Sequence, residues 1–153
     1  MKSLLAIMAL ALMAVMPAAF ADDHAMMDKM EKEAAKVNAV VFYSDTCGSC
    51  KILEPKMIEA MGVINMDRVN VVKLDFSNSD TIEKSKMMAA ENGVNSTLQS
   101  YGAKTGFVVL VDDAGNEIDK LTKADSAEDI AAKVTASALK VSHAKMDKMD
   151  KDA

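Results

Sequence analysis

The stretch "AVVFYSDTCGSCKILEP" (39–55) constrains this chain more than any other, because it runs an apolar strand through a turn directly into a helix. Residues 39–44 form an unbroken β-favouring run, the pattern of a buried strand. The chain then turns through Asp45 to Gly48. From Ser49 to Met61 it reads as a helix whose apolar stripe is Ile52, Leu53, Met57 and Met61.

The remaining elements alternate in the same way. Residues 68–77 ("RVNVVKLDFS") are a second strand, and 79–93 a helix that stops at Gly93. A turn-rich stretch, 94–106, holds one short helix around Thr97 to Tyr101. Residues 107–112 and 117–122 form a hairpin about the turn 113–116. Ala127, Ile130, Ala131, Val134, Ala138 and Val141 mark one face of a closing helix. Strands alternating with helices predict an α/β fold of three layers, a mixed central sheet of about four strands with helices on both faces. No linker divides the chain.

The first 21 residues carry a different message. Lys2, the apolar run "LLAIMALALMAVM" and Ala19-Phe20-Ala21 make up the n-region, h-region and A-x-A site of a cleavable signal peptide. The apolar run is short for a span of about 20 residues, so no stable membrane span is expected after cleavage. The expected organisation is a signal peptide at 1–21, an N-terminal helix or tail at 22–36, a domain at 37–141 and a charged Met-containing tail at 142–153. Export implies a periplasmic location. Net charge is −5, and −6 once Lys2 is removed. With no basic cluster, that balance gives no case for nucleic acid.

Export bears on Cys47 and Cys50, the only two cysteines. In an oxidising compartment they are expected to pair. A bridge across two intervening residues closes a tiny loop and contributes little entropy, which disfavours a purely structural role. A closed zinc site needs four ligands, and the two histidines, His24 and His143, lie near the chain ends. Redox chemistry fits better. Cys47 falls at a helix start, where unsatisfied N–H groups and the helix dipole favour a thiolate. Cys50, one turn on, faces the same side and is placed to resolve a mixed disulfide.

"CGSCKILEP" resembles the active-site helix of the thioredoxin-like family, C-x-x-C-K with a proline five residues beyond the second cysteine; here that residue is Pro55. "VVKLDF", with Lys73, resembles the family's next strand, and "FVVLVDDAGNEI" its terminal hairpin. The resemblance implies a thioredoxin-like domain over 37–141 and thiol–disulfide exchange with protein thiols or disulfides. Cys47 would be the attacking and Cys50 the resolving thiol. Gly48, Ser49, Lys51 and Pro55 would support them from the helix, and Thr105 and Gly106 from the facing loop. No cofactor is required for such chemistry.

Two departures stand out. The family places a cis-proline before the hairpin strand, but Pro55 is the only proline after residue 21, and Gly106 in "KTGFVV" takes its place. A cis bond at a non-proline residue costs about 3–4 kcal/mol, so a trans bond or rearranged loop is expected there. General disulfide reduction is expected to be poor, with Gly106→Pro raising it. The buried acid that many members carry six residues before the first cysteine is here Val41.

The chain ends echo each other: "HAMMDKMEK" (24–32) and "HAKMDKMDK" (143–151) each give H-x-x-M-x-x-M. His24, Met27 and Met30, with His143, Met146 and Met149, are candidate soft-metal ligands, copper being the candidate ion. Cleavage after Ala21 would also leave His24 third from a free amine, a Cu(II) arrangement. Solvated tail helices account for the same residues, since methionine commonly serves as filler. The leading expectation is therefore an exported thiol–disulfide oxidoreductase with a narrow set of partners. The alternatives are a periplasmic copper carrier or sensor on the same fold, and a partner-binding module with a stabilising bridge.

Overall fold

The computed structural model describes residues 36–149, with side chains through Lys148. The signal-peptide segment, most of the 22–36 segment, His24, Met27, Met30, the Met149 side chain and residues 150–153 lie outside the described residues.

Four strands form one mixed sheet in the order β2-β1-β3-β4. They are β1 (Val37–Tyr43), β2 (Val69–Asp75), β3 (Phe107–Val111) and β4 (Glu117–Thr122). β1 runs parallel to β2, from Val37 opposite Val69 to Tyr43 opposite Asp75, and antiparallel to β3. Helix α1 (Gly48–Met61) makes the parallel crossover; α2 (Ser79–Glu91) and α3 (Asn95–Tyr101) precede β3, and α4 (Ala127–Met149) closes the chain. This is the three-layer arrangement that the alternating pattern predicts.

The two-residue period of the strands sorts side chains into two cores. Val37, Ala39, Val108, Leu110 and Leu121 pack beneath α1 and α4, against Leu53, Met57, Ile130 and Val134. Val40, Phe42, Val72, Leu74, Phe107 and Val109 face the other way, toward Ala89, Val94 and Tyr101. The predicted face of the closing helix is the buried one, with Ile130, Val134, Ala138 and Val141 all in the core. The predicted stripe of α1 is shifted. Ile52 is 48% exposed, and the buried face runs Cys50, Leu53, Met57 and Ala60, with Met61 half-buried at its rim. At about 100° per residue, a face that contains Cys50 and Leu53 turns Ile52 toward solvent.

The site helix is tied to the far end of the sheet by one lysine. Lys56 Nζ donates to the carbonyls of Lys123 and Asp125, each at 2.7 Å. The same loop is held by the Asp125 carboxylate, which accepts from the Thr122 N–H at 2.7 Å and from Lys133 Nζ at 2.8 Å. Burial pushes the Asp125 carboxyl up, but these donors outweigh it and hold it below the ordinary carboxylate range. A lowered carboxyl stabilises the fold fully above its unfolded pKa of about 3.9, and that contribution is lost as pH falls through the lower folded value. Asp125→Ala is expected to cost about 1–3 kcal/mol at neutral pH, the range for donors left without a partner. Urea titrations at pH 7 and pH 3 check this, because the gap between native and variant should narrow in acid.

Candidate functional site

The site begins where β1 runs out. Backbone pairing with β2 ends at Tyr43, and the turn that follows is pinned twice: the Cys47 N–H donates to the Ser44 carbonyl at 3.0 Å, and the Asp45 N–H to Ser77 Oγ at 2.9 Å. Cys47 is the N-cap of α1, in extended conformation, and its Sγ accepts the Cys50 N–H at 3.1 Å. An N-cap acceptor meets one of the unpaired donors of the first turn, a task more often done by Ser, Thr, Asp or Asn. Here a sulfur does it. No acidic side chain occupies the first turn of α1, so nothing in that turn opposes negative charge on the sulfur.

Cys47 and Cys50 are joined as a disulfide, with their Cα atoms 5.3 Å apart. Their surroundings differ. Cys47 is half-buried, whereas Cys50 is 5% exposed and belongs to the core-facing side of the helix. The sulfur of Cys50 lies 3.7 Å from the Phe42 carbonyl, which can accept the thiol proton only once the bridge is reduced. That carbonyl also takes the Gly106 N–H at 2.9 Å, so one oxygen of β1 faces both the buried cysteine and the loop opposite.

Gly106 is where the sequence places it, against the cysteine pair. A Cβ added there would lie 2.7 Å from Ser49 Cβ and 3.2 Å from Cys47 Sγ, and the backbone φ is +99°. Both the space and the left-handed conformation therefore require glycine. No cis peptide bond occurs among the described residues, as expected for the Thr105–Gly106 bond. The expectation that Gly106→Pro raises activity does not survive this geometry, since proline locks φ near about −65° and has no N–H to give Phe42.

The other expected residues separate by position. Ser49 meets the Gly106 loop, Thr105 is half-buried beside it, and Gly48 is exposed in the first turn. Lys51 and Pro55 lie on the exposed side of α1, Pro55 within the helix. His143 and Met146 are exposed on α4, which runs helically through the sequence echo to Met149. Among the described residues no cluster of three or more His, Cys, Asp or Glu side chains is placed to hold a metal ion. Nor is any described helix long and apolar enough to cross a membrane.

One feature beside the cysteines has no local sequence signature. A cleft of about 150 Å³ opens between α1 and the β1–β2 pair, with Cys50, Leu53, Met57 and Val71 among its walls. Tyr43, Glu54 and Lys73 also line it. Lys73 Nζ sits 3.4 Å from Glu54 Oε1 and 3.6 Å from the centre of the Tyr43 ring. The Tyr43 hydroxyl donates to Asp45 at 3.1 Å; that bond, then desolvation and the carboxylates of Asp45, Glu54 and Asp75, hold it above the ordinary phenol value. The one sequence signal for Glu54 was its place four residues after Cys50, on the same side of a helix.

Among curated proteins there is no significant match. Trxlp from Edwardsiella tarda EIB202 is similar at 17% identity and a TM-score of 0.44, over 72% of this chain and 92% of that one. The structure of MTB dsbF in its mixed oxidized and reduced forms is similar at 16% identity and a TM-score of 0.43, over 67% and 81%. The family model described as Thioredoxin matches residues 19–97, more than half of the chain. With its mixed four-stranded sheet, helices on both faces and a disulfide at the start of the first of them, this chain belongs to the thioredoxin family.

Proposed function

We propose that this protein is an exported thiol–disulfide oxidoreductase acting on a narrow set of protein partners. The observation that carries the reading is the asymmetry of the bridge: one sulfur caps a helix and is partly exposed, the other is buried beneath it. Reduced Cys47, stabilised as thiolate by the Cys50 N–H and the helix dipole, attacks a partner disulfide. Cys50 then attacks Cys47 Sγ, the partner leaves as a thiolate, and the intramolecular bridge re-forms. Run in reverse, the same steps oxidise a partner dithiol. Export rests on the signal-like N-terminal sequence, which would put the protein in the periplasm, where disulfides persist.

Narrow specificity is the reading of Gly106. A positive-φ glycine whose N–H is already committed to Phe42 gives the loop opposite Cys47 a shape set from within the fold. Partners must fit that shape. Cys50→Ser is expected to accumulate mixed disulfides through Cys47 with a few discrete partners in a periplasmic extract, and Cys47→Ser to accumulate none. Non-reducing gels with mass spectrometry check this. Equal trapping by both variants, or by neither, contradicts the assigned roles.

A further inference from the structure

The H-x-x-M-x-x-M motif plays no part in thiol–disulfide exchange, yet it occurs twice. "HAMMDKMEK" (24–32) and "HAKMDKMDK" (143–151) agree at seven of nine positions. The first copy lies outside the described residues, whereas α4 carries the second as far as Met149.

The helix sorts the side chains of this second copy. Val141, Ala144, Lys145 and Lys148 line a recess against Asp112, Asp113 and Ala114 of the hairpin turn. At about 100° per residue, His143 and Met146 fall on the opposite side, about 60° apart and on neighbouring turns. Both are exposed, Met146 by 54%. Core filling accounts for a methionine such as Met57, 7% exposed, but not for a thioether held in solvent. Residues three apart on a helix have Cβ atoms about 5–6 Å from each other, so an imidazole and a thioether can meet at one ion.

The surrounding charges select the kind of ion. The lysines within the copy, Lys145 and Lys148, belong to the recess beside Asp112 and Asp113 rather than to the donor side. Lys140 and Asp147 flank His143 one turn to either side and offset each other. Arg68 approaches from outside the helix and donates to Ser142 Oγ at 3.1 Å. Among the described residues no cluster of three or more His, Cys, Asp or Glu side chains is placed to hold a metal ion. A hard divalent cation therefore lacks the carboxylates it needs. Neutral imidazole and thioether donors suit a soft monovalent one.

We infer that His143 and Met146 together bind a soft monovalent cation of the Cu(I) class on the solvent side of α4. Two protein donors leave coordination positions open, so the ion can pass to another ligand instead of being enclosed. The site is separate from Cys47 and Cys50 and works with the bridge closed, so it stands apart from the exchange reading.

Silver nitrate is the probe, because Ag(I) is soft, monovalent and does not cycle in redox state. Oxidised protein with carbon-13 methionine methyls is titrated and followed by NMR, so each methionine and histidine reports separately. The Met146 methyl and the His143 ring are expected to shift together and to saturate at one ion. Met87 and Met88, 59% and 37% exposed on α2 with no histidine three residues before them, are the controls and should lag well behind. His143→Ala, read at Met146, and Met146→Leu, read at His143, should each weaken binding by about tenfold or more, since even outer partners of metal sites cost that much. Both substitutions face solvent, so the circular dichroism should stay native. Cu(I) added without oxygen should move the same two residues. Equal responses at Met87, Met88 and Met146, or a shift of Met146 without His143, overturn the site. Unchanged affinity in either variant does so too, and silver binding without Cu(I) binding overturns the assigned ion.

Discussion

Phe42→Ala is expected to lower the stability of this protein by about 3–5 kcal/mol, the range for removing a large aromatic side chain from a well-packed core. Phe42 is 1% exposed and stands at the centre of an aromatic cluster. Its ring centre lies 6.0 Å from Phe76, 5.5 Å from Tyr101 and 4.9 Å from Phe107. Such pairs add about 0.5–1.5 kcal/mol each beyond the area they bury. Against a total stability of about 5–15 kcal/mol, the loss is large. It also reaches the site. The Phe42 carbonyl holds the Gly106 N–H and faces the Cys50 sulfur, so a slackened β1 end loosens both. Urea unfolding measures the first effect, and faster alkylation of Cys50 in the reduced variant measures the second. Phe42→Leu, which fills most of the volume, should show both effects weakly.

Gly106→Pro is the second large effect, and its sign is the reverse of what the family resemblance alone suggests. Forcing φ away from +99° strains or moves the loop, at about 1–3 kcal/mol for such backbone strain. Losing the 2.9 Å bond to Phe42 adds about 1–3 kcal/mol if that buried carbonyl finds no new partner. A total of roughly 2–6 kcal/mol follows. Gly106→Ala keeps the N–H but drives a methyl to 2.7 Å from Ser49 and 3.2 Å from the Cys47 sulfur. It should therefore be milder in stability than Gly106→Pro, yet still impair exchange. Chemical unfolding of both variants, beside the rate of mixed-disulfide formation at Cys47, checks the pair. A proline variant as stable as the native protein and more active would show that this loop moves freely between shapes.

These two positions show what a sequence can and cannot carry. The strand–turn–helix pattern around Cys47 and Pro55 within the helix were legible because they depend on neighbours in sequence, whereas Gly106 opposite was implied by the family resemblance. The phase of α1 was not legible. Ile52 and Cys50 stand on opposite sides of the helix, so only one of them can face the sheet, and it is Cys50. The conformation of Gly106 was equally hidden, since nothing in "KTGFVV" states the sign of φ. The cleft is hidden for a longer-range reason. Lys73 comes beside Glu54 through the parallel register of β1 and β2, in which Val41 faces Lys73 and Tyr43 faces Asp75. That register joins residues 32 apart, and no local pattern announces it.

The proposed function requires that Cys47 and Cys50 form an exchangeable pair rather than a fixed bridge. Equilibrating the protein across a series of glutathione and dithiothreitol buffers, then quenching with acid and counting free thiols by mass, tests it most directly. One reversible two-electron transition is expected, about 30 mV of buffer potential per tenfold change in the ratio of forms, with the circular dichroism of the sheet and helices retained throughout. A bridge that opens only as the fold itself is lost, or that fails to re-form when the buffer is reversed, would contradict it.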